Sequence, residues 1–267
     1  MLDNKNIKVS IAIPTYNSSK YLYKCIEALS NFKTIDEIII HDDHSDTQEF
    51  RNIKKITEKF SSKLNIKIYR NEINIGAYKN KYENIKKCSN EIVYQIDSDN
   101  IASCDLDKIV QNIYRENEEN YLYLPSEIIQ FRKYPKLAKI LSKFNKKYKV
   151  TYTKDDFIFD KEIFQKAIRD EGNFTIDKNI NWILNSGNFI VNKSKFIKIM
   201  KKGFNSKERY QMDAVAISFF WIEANGKIKT LKNLKHFHRK RQDSVSFVES
   251  EGSYEFLQDI RSKFLDL

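Results

Sequence analysis

Short runs of aliphatic and β-branched residues alternate with amphipathic stretches between residues 7 and 96. The runs that have the length and composition of buried strands cover residues 7–13, 35–41, 64–69 and 92–96. Apolar side chains at helical spacing predict the intervening helices over residues 21–29, 48–60 and 78–88. Strands separated by helices are typical of βαβ units, so the pattern predicts an α/β fold with a mostly parallel central sheet.

The second half of the chain is less regular. Its predicted helices cover residues 106–115, 212–224 and, near the C-terminus, 254–265. Its predicted strands cover residues 189–191 and 227–231, with extended chain over 122–131. We find neither an internal repeat nor a linker, so the simplest division is one continuous domain followed by a C-terminal tail.

A basic segment at residues 132–154 contains nine Lys or Arg and no acidic residue. Within it, Leu137, Ile140, Leu141 and Phe144 recur at helical spacing. One interpretation is a helix whose apolar side chains pack on the core while its lysines face solvent. A second is peripheral contact with an anionic membrane surface, which polybasic amphipathic helices favour. The third interpretation is that this basic segment binds an anionic acceptor substrate.

Charge and composition narrow the choice of function. An excess of 47 basic over 36 acidic residues gives a net charge of +11, which suits nucleic acid, an acidic membrane surface or a phosphorylated substrate. The 6 glycines form neither a dinucleotide-binding GxGxxG motif nor a P-loop. Without a long apolar run, a signal-peptide pattern or a CxxC pair, we expect a cytoplasmic protein that at most rests peripherally on the cytoplasmic face of a membrane.

Polar side chains follow three of the predicted strands, at the edge of a parallel sheet where ligands bind. Asp97 and Asp99 come after residues 92–96, and two carboxylates at i and i+2 can face one Mg²⁺ or Mn²⁺ ion. Asp43 can accept a hydrogen bond from a nucleobase, and Tyr16 can stack on one. The structural alternatives are an ordinary loop, a helix cap at Asp43 and core packing of Tyr16.

A set of motifs occurs in a fixed order along the chain. They are VSIAIPTYN at 9–17, IIIHDDHSD at 38–46, NIG at 74–76, IDSDN at 96–100, NSGNFIV at 185–191, GFN at 203–205, MD at 212–213 and RKRQDSVS at 239–246. This set resembles the family 2 glycosyltransferases of GT-A fold. The resemblance implies a single GT-A-like domain and a C-terminal tail. The implied bounds are 1–105 for a Rossmann-like nucleotide-sugar half and 106–235 for an acceptor-binding half, which together make the domain 1–235, and 236–267 for the tail with its terminal helix.

That family transfers a sugar from a nucleotide-sugar donor with the help of a divalent metal and inverts the anomeric centre. The resemblance therefore implies transfer from a UDP-sugar, with GDP as the alternative nucleotide, to a hydroxyl of a glycan or lipid-linked glycan. The residues implied to hold the donor are Pro14, Tyr16, Asp43, Lys79, Lys81, Asp97 and Ser98. Asp99 would bind Mn²⁺ or Mg²⁺, with His238 or His236 as a further ligand. Asp213 would be the catalytic base.

Two other functions are compatible with parts of the sequence. A basic nucleic-acid-binding protein would explain the net charge, but the strand-end carboxylates would repel phosphates, so we expect no nucleic acid partner. A nucleotide-sugar-binding protein without turnover would keep the same fold. For Asp213 the structural alternative is an N-cap of the helix that follows it.

Overall fold

The computed structural model describes residues 7–144, 149–151, 153–165, 183, 186–205, 213–240, 259 and 262–263. The strands are β1 (Val9–Thr15), β2 (Ile35–Asp42), β3 (Ile66–Arg70), β4 (Ile92–Gln95), β5 (Ile101–Ala102), β6 (Tyr121–Phe131), β7 (Lys149–Thr151), β8 (Phe157–Phe159), β9 (Phe189–Asn192) and β10 (Lys227–Arg239). The helices are α1 (Ser19–Leu29), α2 (Thr47–Glu58), α3 (Ala77–Lys87), α4 (Leu106–Glu116), α5 (Pro135–Leu141), α6 (Lys193–Phe204) and α7 (Asp213–Glu223). The terminal helix predicted at 254–265 lies largely outside the described residues.

The strands form one mixed sheet in the order β3-β2-β1-β4-β9-β6-β10-β5, with β7 on β6 and β8 on β10. β1 pairs in parallel with β2 and β4, and β2 with β3. β9 is antiparallel to both β4 and β6, and β10 is parallel to β6, so β6 and β10 point the same way as the first four strands. The prediction of an α/β fold with a mostly parallel sheet is confirmed.

Helices cover both faces of this sheet. Ile11 and Ile13 point to one face, where they pack in a core with side chains of α1, α2 and α4. Ala12 points to the other face, into a second core built with α3, α6 and α7. Because both faces are buried, these strands read as continuous apolar runs instead of alternating patterns, which is why they were recognisable in the sequence.

β10 is longer than the sequence indicated. The predicted strand stopped at Leu231, but β10 continues to Arg239 and pairs with β6 along most of its length. The pairing register shifts between Leu231 and Lys235, beside Pro125 of β6, which has no N–H to give to the ladder. The boundary predicted between residues 235 and 236 thus falls within β10, and the sheet itself positions His236 and His238.

The basic segment does not form the helix that packs its apolar stripe on the core. α5 covers only Pro135–Leu141, and of this helix Ala138 is the residue that is buried. Leu137, Ile140 and Phe144 are exposed. Lys146 and Lys147 lie outside the described residues. None of the helices in the described ranges is long and apolar enough to cross a membrane.

Candidate active site

The ends of β1, β2 and β4 bring three loops together at one edge of the sheet. Asn17 N donates to Ser45 Oγ at 2.8 Å, and Asp43 N donates to Thr15 O at 2.9 Å. The hydroxyls of Ser18 and Ser98 lie 2.8 Å apart. The structure therefore brings together the three strand-end loops that the sequence singled out. Ser98 itself is buried in this contact.

Pro14 and Tyr16 lie at the end of β1 but differ in exposure. Pro14 is buried within the strand, beside His41 of β2. The Tyr16 residue is 50% exposed, so core packing does not explain it. Asn17, which follows it, has a φ of 44°, a left-handed conformation that asparagine tolerates and that turns the chain into α1. The ring of Tyr16 is thus available to a ligand at this edge.

Asp43 is buried and binds the loop that precedes α3. Its carboxylate accepts hydrogen bonds from Ile75 N at 2.8 Å, Gly76 N at 2.9 Å and Asn71 Nδ2 at 2.9 Å. It does not cap α2, since the residue at that N-cap is Asp46. These hydrogen bonds hold the start of α3 against the end of β2. A nucleobase N–H would have to bind to the lone pairs of the Asp43 carboxylate that these bonds leave unused.

His44 shows why a glycine or asparagine suits this loop. Its φ is 64°, in the left-handed region that residues with a β-carbon enter at a cost. The Nδ1 atom of its ring lies 3.2 Å from Asn71 O. The side chain therefore gains a local contact at a position where the backbone conformation favours a smaller residue.

Lys81 lies at the centre of the site. Its Nζ atom is 3.0 Å from Asp97 Oδ1 and 2.6 Å from Asp213 Oδ2, and it donates to Gly187 O at 3.3 Å. The side chain of Lys81 is only 5% exposed, because it extends from the inner face of α3. Asp213 is the first residue of α7, so this one lysine joins the end of β4 to the start of α7.

The contact with Lys81 gives the side chain of Asp213 a partner outside its own helix. Asp97 and Asp213 were predicted to act on the donor and on the acceptor, and the structure brings both to the same ammonium group. A cation between two carboxylates offsets their mutual repulsion. Lys81 was expected on the diphosphate; here it binds the carboxylates. The sequence did contain a signal that Lys81 is buried, because it lies at helical spacing from Tyr78 and Ile85 on the inner face of α3.

The segment before β9 supports Asp97 from its other side. Asp97 N donates to Asn188 Oδ1 at 2.8 Å. Gln95 Nε2 donates to Gly187 O at 2.8 Å and to Asp97 Oδ1 at 3.1 Å. A β-carbon at residue 187 would lie 2.7 Å from Asp97 Oδ2, so the Asp97 carboxylate keeps this position because residue 187 has no side chain. Sequence reasoning noted the glycine but did not identify Gln95 and Asn188 as partners of Asp97.

Burial shifts the pKa values of this cluster. Burial raises the pKa of Asp97 to about 6; the positive charge of Lys81 opposes this shift, and Asp213 and Asp99 add to it. Burial also lowers the pKa of Lys81, but Asp213 and Asp97 outweigh that effect and hold its pKa above the ordinary value. Lys81 is therefore a permanent cation at neutral pH.

Asp99 and the end of β10 meet on the far side of the Asp97 loop. Arg239 Nε donates to Asp99 O at 3.3 Å, and Arg239 N donates to Asn100 Oδ1 at 3.2 Å. The guanidinium group lies 4.5 Å from the ring centre of Tyr21 and 4.4 Å from that of Phe131. These contacts bring His238, the residue before Arg239, to the same edge as Asp99. Sequence reasoning did not identify Arg239 as the residue that connects the Asp99 loop to β10.

The two histidines of β10 differ in environment. His236 is buried, and burial together with the neighbouring His238 holds its pKa well below the ordinary value. His238 is half-buried, and the centres of the two rings are 6.2 Å apart. Of the two, His238 is the one with access to the surface, so it is the better candidate for a ligand contact.

In the described part of the chain, no group of three or more His, Cys, Asp or Glu is placed to hold a metal ion on its own. Asp99 offers carboxylate oxygens and His238 offers an imidazole, and the Arg239 contacts bring the two loops together. This donor set fits Mn²⁺ or Mg²⁺ that takes its remaining ligands from substrate phosphates and water. Lys79 is half-buried on α3, three residues after Gly76, whose N–H contacts Asp43, and two residues before Lys81, which contacts Asp97.

Comparisons with known proteins agree with this architecture. The structure of residues 1–349 of TarS from S. aureus in complex with UDP-GlcNAc superposes with a TM-score of 0.66 at 18% identity, covering 97% of this chain and 70% of that one. The structure of GalNAc-T7 with UDP, GalNAc and Mn²⁺ gives a TM-score of 0.62 at 13% identity, covering 96% and 48%. The predicted GT-A-type fold is confirmed by these likenesses.

Sequence relatives and a family model identify the chain. It is 29% identical over 133 residues to the Staphylococcus aureus poly(ribitol-phosphate) β-N-acetylglucosaminyltransferase TarS, covering 48% of this chain but only 22% of TarS. It is 21% identical to the Streptococcus pneumoniae glycosyltransferase GlyG, covering 92% of this chain and 75% of GlyG. The model described as glycosyl transferase family 2 matches residues 10–180, which is more than half of the sequence. The chain therefore belongs to glycosyl transferase family 2.

Proposed function

We propose that this protein is an inverting, metal-dependent glycosyltransferase that moves a sugar from a UDP-sugar to a hydroxyl of a glycan or lipid-linked glycan. The observation that carries the proposal is the Lys81 bridge, which places Asp213 beside the strand-end carboxylate Asp97. UDP-GlcNAc in the TarS structure and UDP in that of GalNAc-T7 support the choice of donor. The proposed location remains the cytoplasm.

The proposed donor site lies along the ends of β1, β2 and β4. The exposed ring of Tyr16 stacks on the base, while Pro14 and the buried Asp43 hold the surrounding loops in place. Asp97 and Ser98 orient the nucleotide, and Lys79 reaches the diphosphate from α3. For Lys81 we propose a positioning role beside the expected contact with the diphosphate, because its ammonium group contacts both Asp97 and Asp213.

A divalent metal would be held by Asp99, with His238 as the second protein ligand. A metal bound there would supply positive charge for the departing diphosphate. This chain supplies the rest of the arrangement. Arg239 fixes the Asp99 loop through its backbone carbonyl and keeps β10 beside it. Excluding bulk water from this edge would strengthen every charge interaction within it.

Asp213 is proposed as the base that removes the proton from the acceptor hydroxyl. Inversion requires the acceptor to attack opposite the leaving diphosphate, so the base must lie on the acceptor side. Asp213 begins α7, whose following residues are buried, and this anchoring holds its carboxylate in a fixed position. The neighbouring Lys81 contacts this carboxylate at 2.6 Å and so helps to fix its position.

The first test is turnover itself. Purified protein is incubated with UDP-sugars and Mn²⁺, and release of UDP is measured with and without excess EDTA. We expect hydrolysis or transfer that EDTA abolishes and that Asp99→Ala also removes while the fold remains intact. Full activity in EDTA would contradict the metal requirement. Binding of UDP-sugar without any turnover would identify a nucleotide-sugar-binding protein instead.

The nucleotide is tested by titration calorimetry in the presence of Mn²⁺. We expect UDP to bind more tightly than GDP, since the Asp43 carboxylate after β2 and the Tyr16 ring after β1 suit uracil. Tyr16→Ala should weaken UDP binding by about 1–2 kcal/mol if the ring stacks on the base. Tighter binding of GDP would reverse the choice of nucleotide and leave the reaction class unchanged.

The base is tested by Asp213→Asn. General-base catalysis contributes about 10²–10⁴-fold, so kcat should fall by that factor while the Kd for UDP changes little. Glu223→Gln is the matched control: it changes an acid to an amide at the other end of α7, where Glu223 pairs with the exposed Lys202 at 2.8 Å. Turnover close to wild type in Asp213→Asn would exclude Asp213 as the base. The next acceptor-side carboxylate to test would then be Glu208, which lies outside the described residues.

A further inference from the structure

α5 presents its apolar side chains to solvent. Leu137, Ile140 and Phe144 recur at helical spacing, yet they are 50%, 56% and 84% exposed. Tyr134, just before the helix, is 68% exposed. Ala138 alone among the residues of this helix is buried, against a small cluster that includes Phe131. Surface helices usually turn the apolar stripe inwards, so this helix is arranged in the opposite way.

Positive charges lie next to these apolar side chains in the sequence, because a lysine directly precedes each of Leu137, Ile140 and Phe144. The exposed cations in this stretch are Arg132, Lys133, Lys136, Lys139 and Lys143. No acidic residue occurs between residues 132 and 154. We define the α5 patch as the exposed apolar and lysine side chains of this stretch: Lys133, Tyr134, Lys136, Leu137, Lys139, Ile140, Lys143 and Phe144. Exposed apolar side chains with lysines next to them suit the boundary between anionic headgroups and acyl chains.

The α5 patch adjoins the active-site edge. β6 ends at Phe131, and α5 begins four residues later. Arg239 connects the two regions, because its Nη1 atom donates to Arg132 O at 3.0 Å while its Nε atom donates to Asp99 O. A surface that covers the α5 patch would therefore lie next to the Asp99 loop.

We propose that the α5 patch docks the protein on an anionic lipid surface and turns the carboxyl edge of the sheet towards that surface. Phe144, Leu137 and Ile140 enter the headgroup region, and the lysines contact lipid phosphates. A second copy of the chain is a poor occupant, because a self-complementary interface would bring two lysine clusters together. The inference goes beyond the proposed transfer reaction: lipid binding can fail while transfer to a soluble acceptor stands, and the reverse also holds.

The experiment measures co-sedimentation of the full chain with phosphatidylglycerol-containing vesicles and with pure phosphatidylcholine vesicles, at low and at high salt. The charge variant replaces Lys136, Lys139 and Lys143 by Gln. Its matched control makes the same charge change at exposed lysines on and just after α2, namely Lys55, Lys59 and Lys63. The apolar variant replaces Leu137, Ile140 and Phe144 by Ser. Because all these side chains are exposed, the variants should fold, which unchanged UDP binding verifies.

We expect wild-type protein to bind the anionic vesicles and to bind the neutral ones at least tenfold more weakly. The charge variant should bind about 10²-fold more weakly at low salt, since each lysine near an anionic surface contributes roughly fivefold. The control should lose at least tenfold less. The apolar variant should lose affinity at high salt as well, where screening leaves insertion as the main contribution.

Three results would overturn the proposal. Wild-type protein that stays in the supernatant would exclude a lipid surface. Equal losses in the charge variant and its control would show a non-specific charge effect. A dimer in size-exclusion chromatography that the apolar variant dissociates, without vesicle binding, would identify a second copy as the occupant.

Discussion

Replacement of Lys81 by Met tests whether one buried cation holds the two halves of the site together. Met keeps most of the aliphatic stem and removes the ammonium group that contacts Asp97 and Asp213 at 3.0 and 2.6 Å. The two carboxylates then face each other without a counter-ion, and Gly187 O loses a donor. We expect the variant to be less stable than wild type, and the site to lose its geometry first.

The size of the effect follows from burial. Removing one partner of a fully buried ion pair costs about 3–5 kcal/mol. The side chains of Asp97 and Asp213 are 32% and 21% exposed, so water can solvate part of the charge, and we expect a loss of about 2–3 kcal/mol. For a chain of this size the melting temperature should fall by roughly 4–12 °C. Urea denaturation and calorimetry measure both quantities.

A double-mutant cycle separates this charge effect from simple loss of packing. In Lys81→Met/Asp213→Asn the second change removes one of the two repelling charges. The double variant should therefore be more stable than the sum of the single changes predicts, by about 1 kcal/mol or more. Lys81→Arg keeps the positive charge and should lose less stability than Met. Wild-type stability of Lys81→Met, or strictly additive changes in the cycle, would refute the bridging role.

Two further predictions concern residues outside the bridge itself. Gly187→Ala places a methyl group 2.7 Å from Asp97 Oδ2, so the carboxylate must move. A displacement of this order should lower turnover about 10²-fold and reduce the free energy of unfolding by about 1–3 kcal/mol. Unchanged kinetics would show that the position of Asp97 is not critical. For Glu37, burial raises the pKa, but hydrogen bonds from Lys67 and Ser89 outweigh it and hold the pKa at about 2, below the ordinary 4.5. A depressed pKa stabilises the fold above pH 4.5, by about 3 kcal/mol here, and this stabilisation is lost as the pH falls towards 2. The stability difference between wild type and Glu37→Gln, measured by urea denaturation, should therefore shrink by about 2 kcal/mol from pH 6 to pH 3; a constant difference would contradict the shift.

The sequence by itself determined the elements and the edge of the sheet where the site lies. Strands buried on both faces and helices with an apolar stripe leave patterns that neighbouring residues reveal, so β1 to β4 and α1 to α3 were predicted to within about two residues. The same local signals marked the Asn225-Gly226 end of α7, where Asn225 has a φ of 58°. The polar residues after β1, β2 and β4 were recognisable because parallel strands end at one edge.

Only the tertiary structure decided how the residues at that edge contact one another. Lys81 meets Asp97 and Asp213 because β9 inserts between β4 and β6 and brings Gly187 against Asp97, an arrangement that depends on strand order. The exposure of α5 and the full length of β10 likewise depend on which neighbours the sheet supplies. Helical and strand periodicity reflect contacts between residues a few positions apart. The contact between Lys81 and Asp97 joins residues 16 positions apart, and those of Lys81 with Gly187 and Asp213 span more than 100 residues, so the packing of the whole sheet determines them.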